Sequence, residues 1–140
     1  MTTRAGWQLA DLLSHAEHQV SRRLSAALQA EGLTLDQWRA LSFLADGAGH
    51  TMSEVADHAM LPPATLTRVI DRLVEVNLIY RRSDLGDRRR VLVFLSARGR
   101  SLHRRLATTI EREEAVLTAA LDDEERELLA GLLERLAAYE

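Results

Sequence analysis

Leu78-Ile-Tyr-Arg-Arg-Ser-Asp-Leu-Gly-Asp-Arg-Arg-Arg-Val-Leu-Val-Phe-Leu95 is the stretch whose reading decides the fold. Residues 78–83 and 91–95 are strand-like runs, and Asp84-Leu-Gly-Asp87 between them has turn chemistry. That pattern predicts a β-hairpin. Three arginines, Arg88, Arg89 and Arg90, crowd its return side in a chain whose formal net charge is −3. Either they are solvated charges at a turn, or they reach for something anionic.

The charge distribution favours the second reading. All 18 basic residues are arginine. Between positions 68 and 105, 11 arginines face four acids, whereas from position 111 onward three arginines meet ten acids. A basic middle beside an acidic tail implies one face built for a polyanion and another turned away from it.

Working back toward the N-terminus, Pro63-Ala-Thr-Leu-Thr-Arg-Val-Ile-Asp-Arg72 opens a helix on a proline whose missing N–H costs nothing at the first helical position. Leu66, Val69, Ile70 and Leu73 mark its inward face, leaving Ala64, Thr65, Thr67, Arg68, Asp71 and Arg72 outside. Asn77 is placed to cap its end in the left-handed conformation. A short helix precedes it, opened by Thr51-Met-Ser-Glu54 as a capping box and closed by the turn Met60-Leu-Pro-Pro63. Thr34-Leu-Asp-Gln37 is another capping box, opening a helix that carries Trp38, Leu41, Phe43, Leu44 and Ala45 and ends at Asp46-Gly-Ala-Gly49. Residues 7–29 space Leu9, Leu12, Leu13, Ala16, Val20, Leu24 and Leu28 for a long amphipathic helix that stops at Gly32.

Beyond the hairpin, Ser96 is the cap of a long helix with Leu102, Leu106, Ile110, Val116 and Leu117. Asp122, with Glu125 three residues on, opens a last helix bearing Leu128, Leu129, Leu132, Leu133 and Leu136. The expected fold is mainly α with a small β-hairpin wing: a winged helix-turn-helix core plus N- and C-terminal helices. In such a module the second helix of the pair enters the major groove, N-terminal residues first. Arg68 is then the candidate for a bidentate base contact or a phosphate clamp.

Thr65-Leu-Thr-Arg-Val-Ile-Asp-Arg-Leu73, Asp87-Arg-Arg89 and the Leu95-Ser-Ala-Arg-Gly99 that follows the second strand resemble the MarR family of transcription regulators, over essentially the whole chain. The resemblance implies a single domain over residues 1–140, with a DNA-binding lobe at 33–96 and dimerisation helices at 1–31 and 97–140. It implies a homodimer on a pseudo-palindromic operator in double-stranded DNA, with half-sites about 34 Å apart. The DNA-binding residues are then Ala64, Thr65, Thr67, Arg68, Arg72, Arg88, Arg89 and Arg90. Gly86 and Asp87 shape the wing, and Arg89 enters the minor groove, where narrow A·T tracts concentrate negative potential. The resemblance also implies a repressor released by a small aromatic or anionic effector; Trp7 and Trp38 are candidates either for lining its pocket or for packing. Two departures from the family pattern are Asn77, where a glycine is usual, and Pro62, where a serine or threonine cap is usual.

Other chemistry finds little support. The absence of cysteine excludes disulfides, thiol switching, thiolate nucleophiles and cysteine-ligated zinc. His15 and His18 have a chelating spacing but lack further ligands in sequence, so neither metal nor cofactor is expected. No phosphate loop or hydrolase signature is present, and a phosphate clamp of arginines without nucleophile or base is a weak case for an enzyme. No run approaches the roughly eighteen apolar residues that span a bilayer, and no secretory signal is legible, so a cytoplasmic protein is expected. The competing reading is a winged helix that binds an acidic protein partner instead of DNA.

Overall fold

The computed structural model describes residues 6 and 8–139. Helix α1 (Leu9–Gln29) leads to α2 (Leu35–Phe43), whose end tightens into a single 3-10 turn at Leu44–Asp46. Then come α3 (Met52–Ala59), α4 (Pro63–Glu75), strands β1 (Ile79–Ser83) and β2 (Val91–Leu95), α5 (Ala97–Leu117) and α6 (Asp123–Ala137). The strands form one antiparallel pair, with Ile79 opposite Leu95 and Ser83 opposite Val91. His50, in the loop before α3, adds a single antiparallel bridge to Val93 and so ties that loop to the hairpin's open edge. The mainly α fold with a β-hairpin wing is thus the one expected. No helix among the described residues is long and apolar enough to cross a membrane.

Local chemistry explains most of the boundaries. The Thr34 hydroxyl accepts the Gln37 N–H at 3.1 Å while the Gln37 side chain accepts the Thr34 N–H at 2.9 Å, a complete capping box. Asp122 and Glu125 repeat it at the start of α6. The box expected at Thr51 is only half formed. Thr51 accepts the Glu54 N–H at 3.2 Å, but the Glu54 carboxylate turns to His50 and Arg90 instead of back to its own cap. Asn77 takes the left-handed conformation, φ 63°, as expected of it. Met60 also does, φ 55°, at the tight turn between α3 and α4.

The core gathers Leu24 and Leu28 of α1, Trp38 and Leu41 of α2, Val55 of α3, the inner face of α4, the wing base and Leu106 and Ile110 of α5. Helix α4 buries Leu66, Ile70 and Leu73. Full burial of each is worth about 1.5–3 kcal/mol, which fixes the azimuth of the helix and so decides which residues face out. The Leu95-Ser-Ala-Arg-Gly99 motif has a structural reason. Ser96 caps α5 by accepting the Gly99 N–H and donates its own hydroxyl to the Asn77 carbonyl at 2.7 Å. Gly99 itself lies so close to the wing base that a Cβ there would stand 2.1 Å from the Leu78 carbonyl oxygen. The motif therefore locks the end of α4, the hairpin and the start of α5 together.

The outer helices are less enclosed. In α1, Leu9, Leu12, Leu13 and Val20 are exposed, and only Leu24 and Leu28 are buried. Helix α6 buries no residue, and its leucines Leu128, Leu129, Leu132, Leu133 and Leu136 are all between 41% and 62% exposed.

Candidate nucleic-acid interface

Two proline residues set the business end of α4. Pro62 offers no side-chain acceptor and Pro63 no N–H, so no side chain caps this helix. The first free N–H groups, on Ala64 and Thr65, are left to whatever anion approaches, aided by the helix dipole. Ala64, Thr67 and Arg68 are exposed and Thr65 is half-buried. The Thr67 hydroxyl donates back to the Pro63 carbonyl at 2.9 Å, so toward a base edge it presents acceptor lone pairs and its methyl group. Arg68 has no ion pair within the described residues. Arg72 pairs with Glu75 at 3.2 Å, and Asp71 is taken by Arg81, which braces α4 against β1.

The wing turn is shaped by two aspartates. Asp84 accepts the Gly86 N–H and Asp87 accepts the Arg89 N–H, each at 3.0 Å. Backbone bonds from Asp84 N–H to the Arg90 carbonyl, 2.8 Å, and from Arg90 N–H to the Asp87 carbonyl, 2.9 Å, close it. Gly86 is not in the left-handed region and a Cβ there would make only an ordinary contact, so the turn does not depend on its being glycine. Asp84 was not singled out in the sequence, although an Asp two residues before a Gly is an ordinary turn signal. At the base, Tyr80 stacks on Phe94 at 5.4 Å and the Arg82 guanidinium sits 4.5 Å over the same ring. Phe94 also explains Gly49: a Cβ there would lie 2.4 Å from the ring.

The three consecutive arginines are not equivalent. Arg88 and Arg89 are exposed and have no ion-pair partner within the described residues. Arg90 instead reaches back to Glu54 of α3 at 3.0 Å. Glu54 also receives the Nδ1 of His50 at 2.7 Å, and the Nε2 of His50 meets Asp46 at 2.7 Å. Asp46 is held below the ordinary carboxylate range by the Ala48 N–H and by His50, and Glu54 by its hydrogen bond to His50. The ring of His50 packs against Phe43, 4.3 Å between centroids, and His58 stacks on Phe43 at 4.4 Å. Sequence reasoning missed this cluster, though the spacing Asp46, His50, Glu54 was there to be read.

Trp38 is buried and stacks on His103 of α5 at 5.0 Å, with burial pushing the His103 pKa down. Trp7, its expected companion, lies outside the described residues. A cavity of about 550 Å³ lies elsewhere, between the α1–α2 loop, the end of α4 and the start of α5. Leu33, Val76, Leu78 and Leu102 give it an apolar side, and Arg98, Ser101 and Arg105 a polar one; Trp38 does not line it. Arg105 is paired with Glu31 at 3.0 Å. Among the described residues no group of three His, Asp or Glu side chains is arranged to hold a metal ion.

The profile of the MarR family matches residues 31–90, the lobe that holds this interface. The HTH-type transcriptional repressor Rv2887 of Mycobacterium tuberculosis is 29% identical over 115 residues, 82% of this chain and 83% of the relative. Its structure in complex with salicylic acid aligns with a TM-score of 0.78 at 27% identity, covering 96% of this chain and 99% of that one. A probable transcriptional regulator from Pseudomonas aeruginosa aligns with a TM-score of 0.80 at 32% identity, over 95% and 99% of the two chains. A cysteine-to-serine mutant of MarR from Escherichia coli, complexed with operator DNA, aligns with a TM-score of 0.80 at 26% identity, over 91% and 92%. Fold, wing and matching lobe agree: the chain belongs to the MarR family of winged helix-turn-helix transcription regulators, proteins that bind DNA and are not enzymes.

Proposed function

We propose that this protein is a cytoplasmic, homodimeric repressor that binds a pseudo-palindromic operator and is released by a small anionic effector. The observation that carries the DNA reading is the set of unpaired arginines, Arg68 on α4 and Arg88 and Arg89 on the wing, beside an α4 N-terminus with no side-chain cap. Arg68, with Ala64, Thr65 and Thr67, is assigned to the major groove and Arg89 to the minor groove. Arg88 is assigned to a phosphate. Arg72 and Arg90 contribute less, because a carboxylate already neutralises each.

Dimerisation is supported by the leucines of α6 and by Leu9, Leu12, Leu13 and Val20 of α1, which the chain itself leaves exposed. Large exposed apolar patches are uncommon on monomers and mark interaction surfaces. A second copy covering them would make residues 97–140 and the N-terminal helix the dimerisation unit and residues 33–96 the DNA-binding lobe. The acidic start of α6 would then face away from DNA.

For the effector, the cavity touched by Val76, Leu102 and Arg98 adjoins both the end of α4 and the start of α5. A ligand filling it would bias the angle between the recognition helix and the dimer helices, which is how differential affinity for two dimer geometries becomes release. The salicylic acid complex of the mycobacterial relative makes aromatic carboxylates the first class to test. Selection of bound genomic fragments, followed by binding of the recovered duplex with and without salicylate, tests the whole reading. No enrichment of any duplex at low salt overturns the DNA assignment. Unchanged affinity across a panel of aromatic carboxylates overturns the effector assignment.

A further inference from the structure

The cluster at the base of the wing carries an inference beyond the groove contacts. His50 is joined to the hairpin twice. Its backbone exchanges hydrogen bonds with Val93, at 3.1 and 2.8 Å, and its side chain reaches Arg90 through Glu54. Each ring nitrogen faces a carboxylate oxygen at 2.7 Å: Nδ1 that of Glu54, Nε2 that of Asp46. A neutral imidazole has one N–H and one lone pair, so it can donate to only one of them and must turn its lone pair on the other. Two short contacts to two carboxylates are satisfied together only by the imidazolium.

We propose that His50, as the imidazolium, is a positioning residue for the wing, holding Glu54 in place against Arg90, and that operator affinity weakens when His50 loses its proton. The inference rests on the DNA-binding reading above. The groups facing His50 from each packed element are Asp46 of the 3-10 turn, Glu54 of α3 with Arg90 of the hairpin behind it, and His58, which shares Phe43. With His50 charged, Asp46, His50, Glu54 and Arg90 sum to zero. With it neutral they sum to −1, next to a surface assigned to phosphates. Loss of the proton thus removes one strut of the wing and adds repulsion toward DNA, and both effects have the same sign. Desolvation alone would lower the pKa of this largely buried ring, but the hydrogen bonds and charges of Glu54 and Asp46 outweigh it and raise the pKa above the ordinary 6.5. The charged form therefore persists at and above that pH and is lost as pH rises through the raised value.

The test uses the full chain. Imidazole proton resonances are followed by NMR from about pH 6 to about pH 9, with His50 assigned by the signal missing in His50→Gln. In parallel, affinity for the genomically selected duplex is measured over the same range at constant ionic strength. The expected result is a His50 midpoint above 6.5. The wild type should also lose about five- to tenfold more affinity than His50→Gln on going to high pH, the low end of typical coupling between two sites. Glutamine donates to one carboxylate and never carries charge, so its own affinity is expected to be low and less dependent on pH. If His50→Gln does not fold, Glu54→Gln decides: it should lower the His50 midpoint and flatten the pH dependence. A midpoint at or below 6.5, or a pH dependence shared by wild type and variant, overturns the clamp alone. Absence of DNA binding at every pH overturns the DNA-binding reading itself.

Discussion

Replacing Arg89 by Ala probes the interface most directly, because the structure leaves this side chain exposed and without a carboxylate while its neighbour Arg90 is paired. Arg82 also lacks a carboxylate but lies over the Phe94 ring, so Arg68, Arg88 and Arg89 are the three cations counted per protomer, six in the proposed dimer. Each displaces one phosphate counterion, whether it meets a phosphate or lies in a groove. At about −0.9 per neutralised phosphate, the slope of log affinity against log salt should be about −5.4, an affinity loss of roughly 1,800-fold between about 50 and about 200 mM salt. Arg89→Ala removes two of the six, bringing the slope to about −3.6 and the loss over the same range to roughly 150-fold. Arg90→Ala should lower affinity, because it leaves a net −1 on Asp46, His50 and Glu54, yet change the slope less than Arg89→Ala does, since Glu54 already holds Arg90 away from phosphate. Fluorescence anisotropy on the genomically selected duplex, at five or more salt concentrations, measures all three slopes. An unchanged slope for Arg89→Ala would refute the assignment of the wing tip. A slope lowered equally by Arg90→Ala would refute the argument that internal pairing decides which arginines count.

Other expectations concern stability and assembly. Gly99→Ala puts a methyl group 2.1 Å from the Leu78 carbonyl oxygen, so the wing base or the start of α5 must shift. Overpacking of this kind costs about 1–3 kcal/mol, and a denaturation midpoint equal to or above wild type would contradict it. Leu129→Glu together with Leu133→Glu should convert the proposed dimer to monomer in sedimentation experiments without loss of helicity, since neither residue is buried within the chain; a dimer that survives both changes places the interface elsewhere, and a wild type that is itself monomeric refutes the dimer. Burial lowers the His103 pKa, so its contribution to stability is whole above about pH 6.5 and drains as pH falls through the depressed folded value. His103→Phe keeps the stack on Trp38 without a titrating group, so its melting temperature should gain on wild type between about pH 7.5 and about pH 5. An equal gap at both pH values would remove His103 from the acid sensitivity.

What the sequence made legible was whatever is fixed within a few residues. Thr34 with Gln37, Asp122 with Glu125, Ser96 with Gly99 and the left-handed Asn77 each satisfy backbone groups three or four positions away, and such local rules survive folding unchanged. The inward face of α4 was legible for the same reason, since the helical repeat alone sorts Leu66, Ile70 and Leu73 from Thr67 and Arg68. The Thr51 box failed where a longer-range partner entered: His50 and Arg90 offered the Glu54 carboxylate charged donors, and these outcompeted a neutral N–H. Periodicity likewise announced apolar faces on α1 and α6 but not what covers them, which is why Leu24 and Leu28 are buried while Leu9 and Leu132 are not.

The arginine-rich middle of the chain shows why a count of charges is a poor map of an interface. Of its 11 arginines, Arg72, Arg81, Arg90 and Arg105 are held by Glu75, Asp71, Glu54 and Glu31. The last three pairs each cross between elements: α4 to β1, α3 to the hairpin, and the α1–α2 loop to α5. Exposed pairs of this kind contribute only about 0–1 kcal/mol to stability, so they are not what holds the fold together. Under the proposed DNA binding they act in another way. A phosphate that takes Arg81 strands Asp71, and one that takes Arg90 leaves Glu54 with His50 alone, so each pair discourages its arginine from serving as a DNA contact. The carboxylates thereby direct phosphate to the arginines they leave free. On this argument Glu54 acts in two ways: it withholds Arg90 from DNA, and through His50 it ties the placement of Arg88 and Arg89 to a proton.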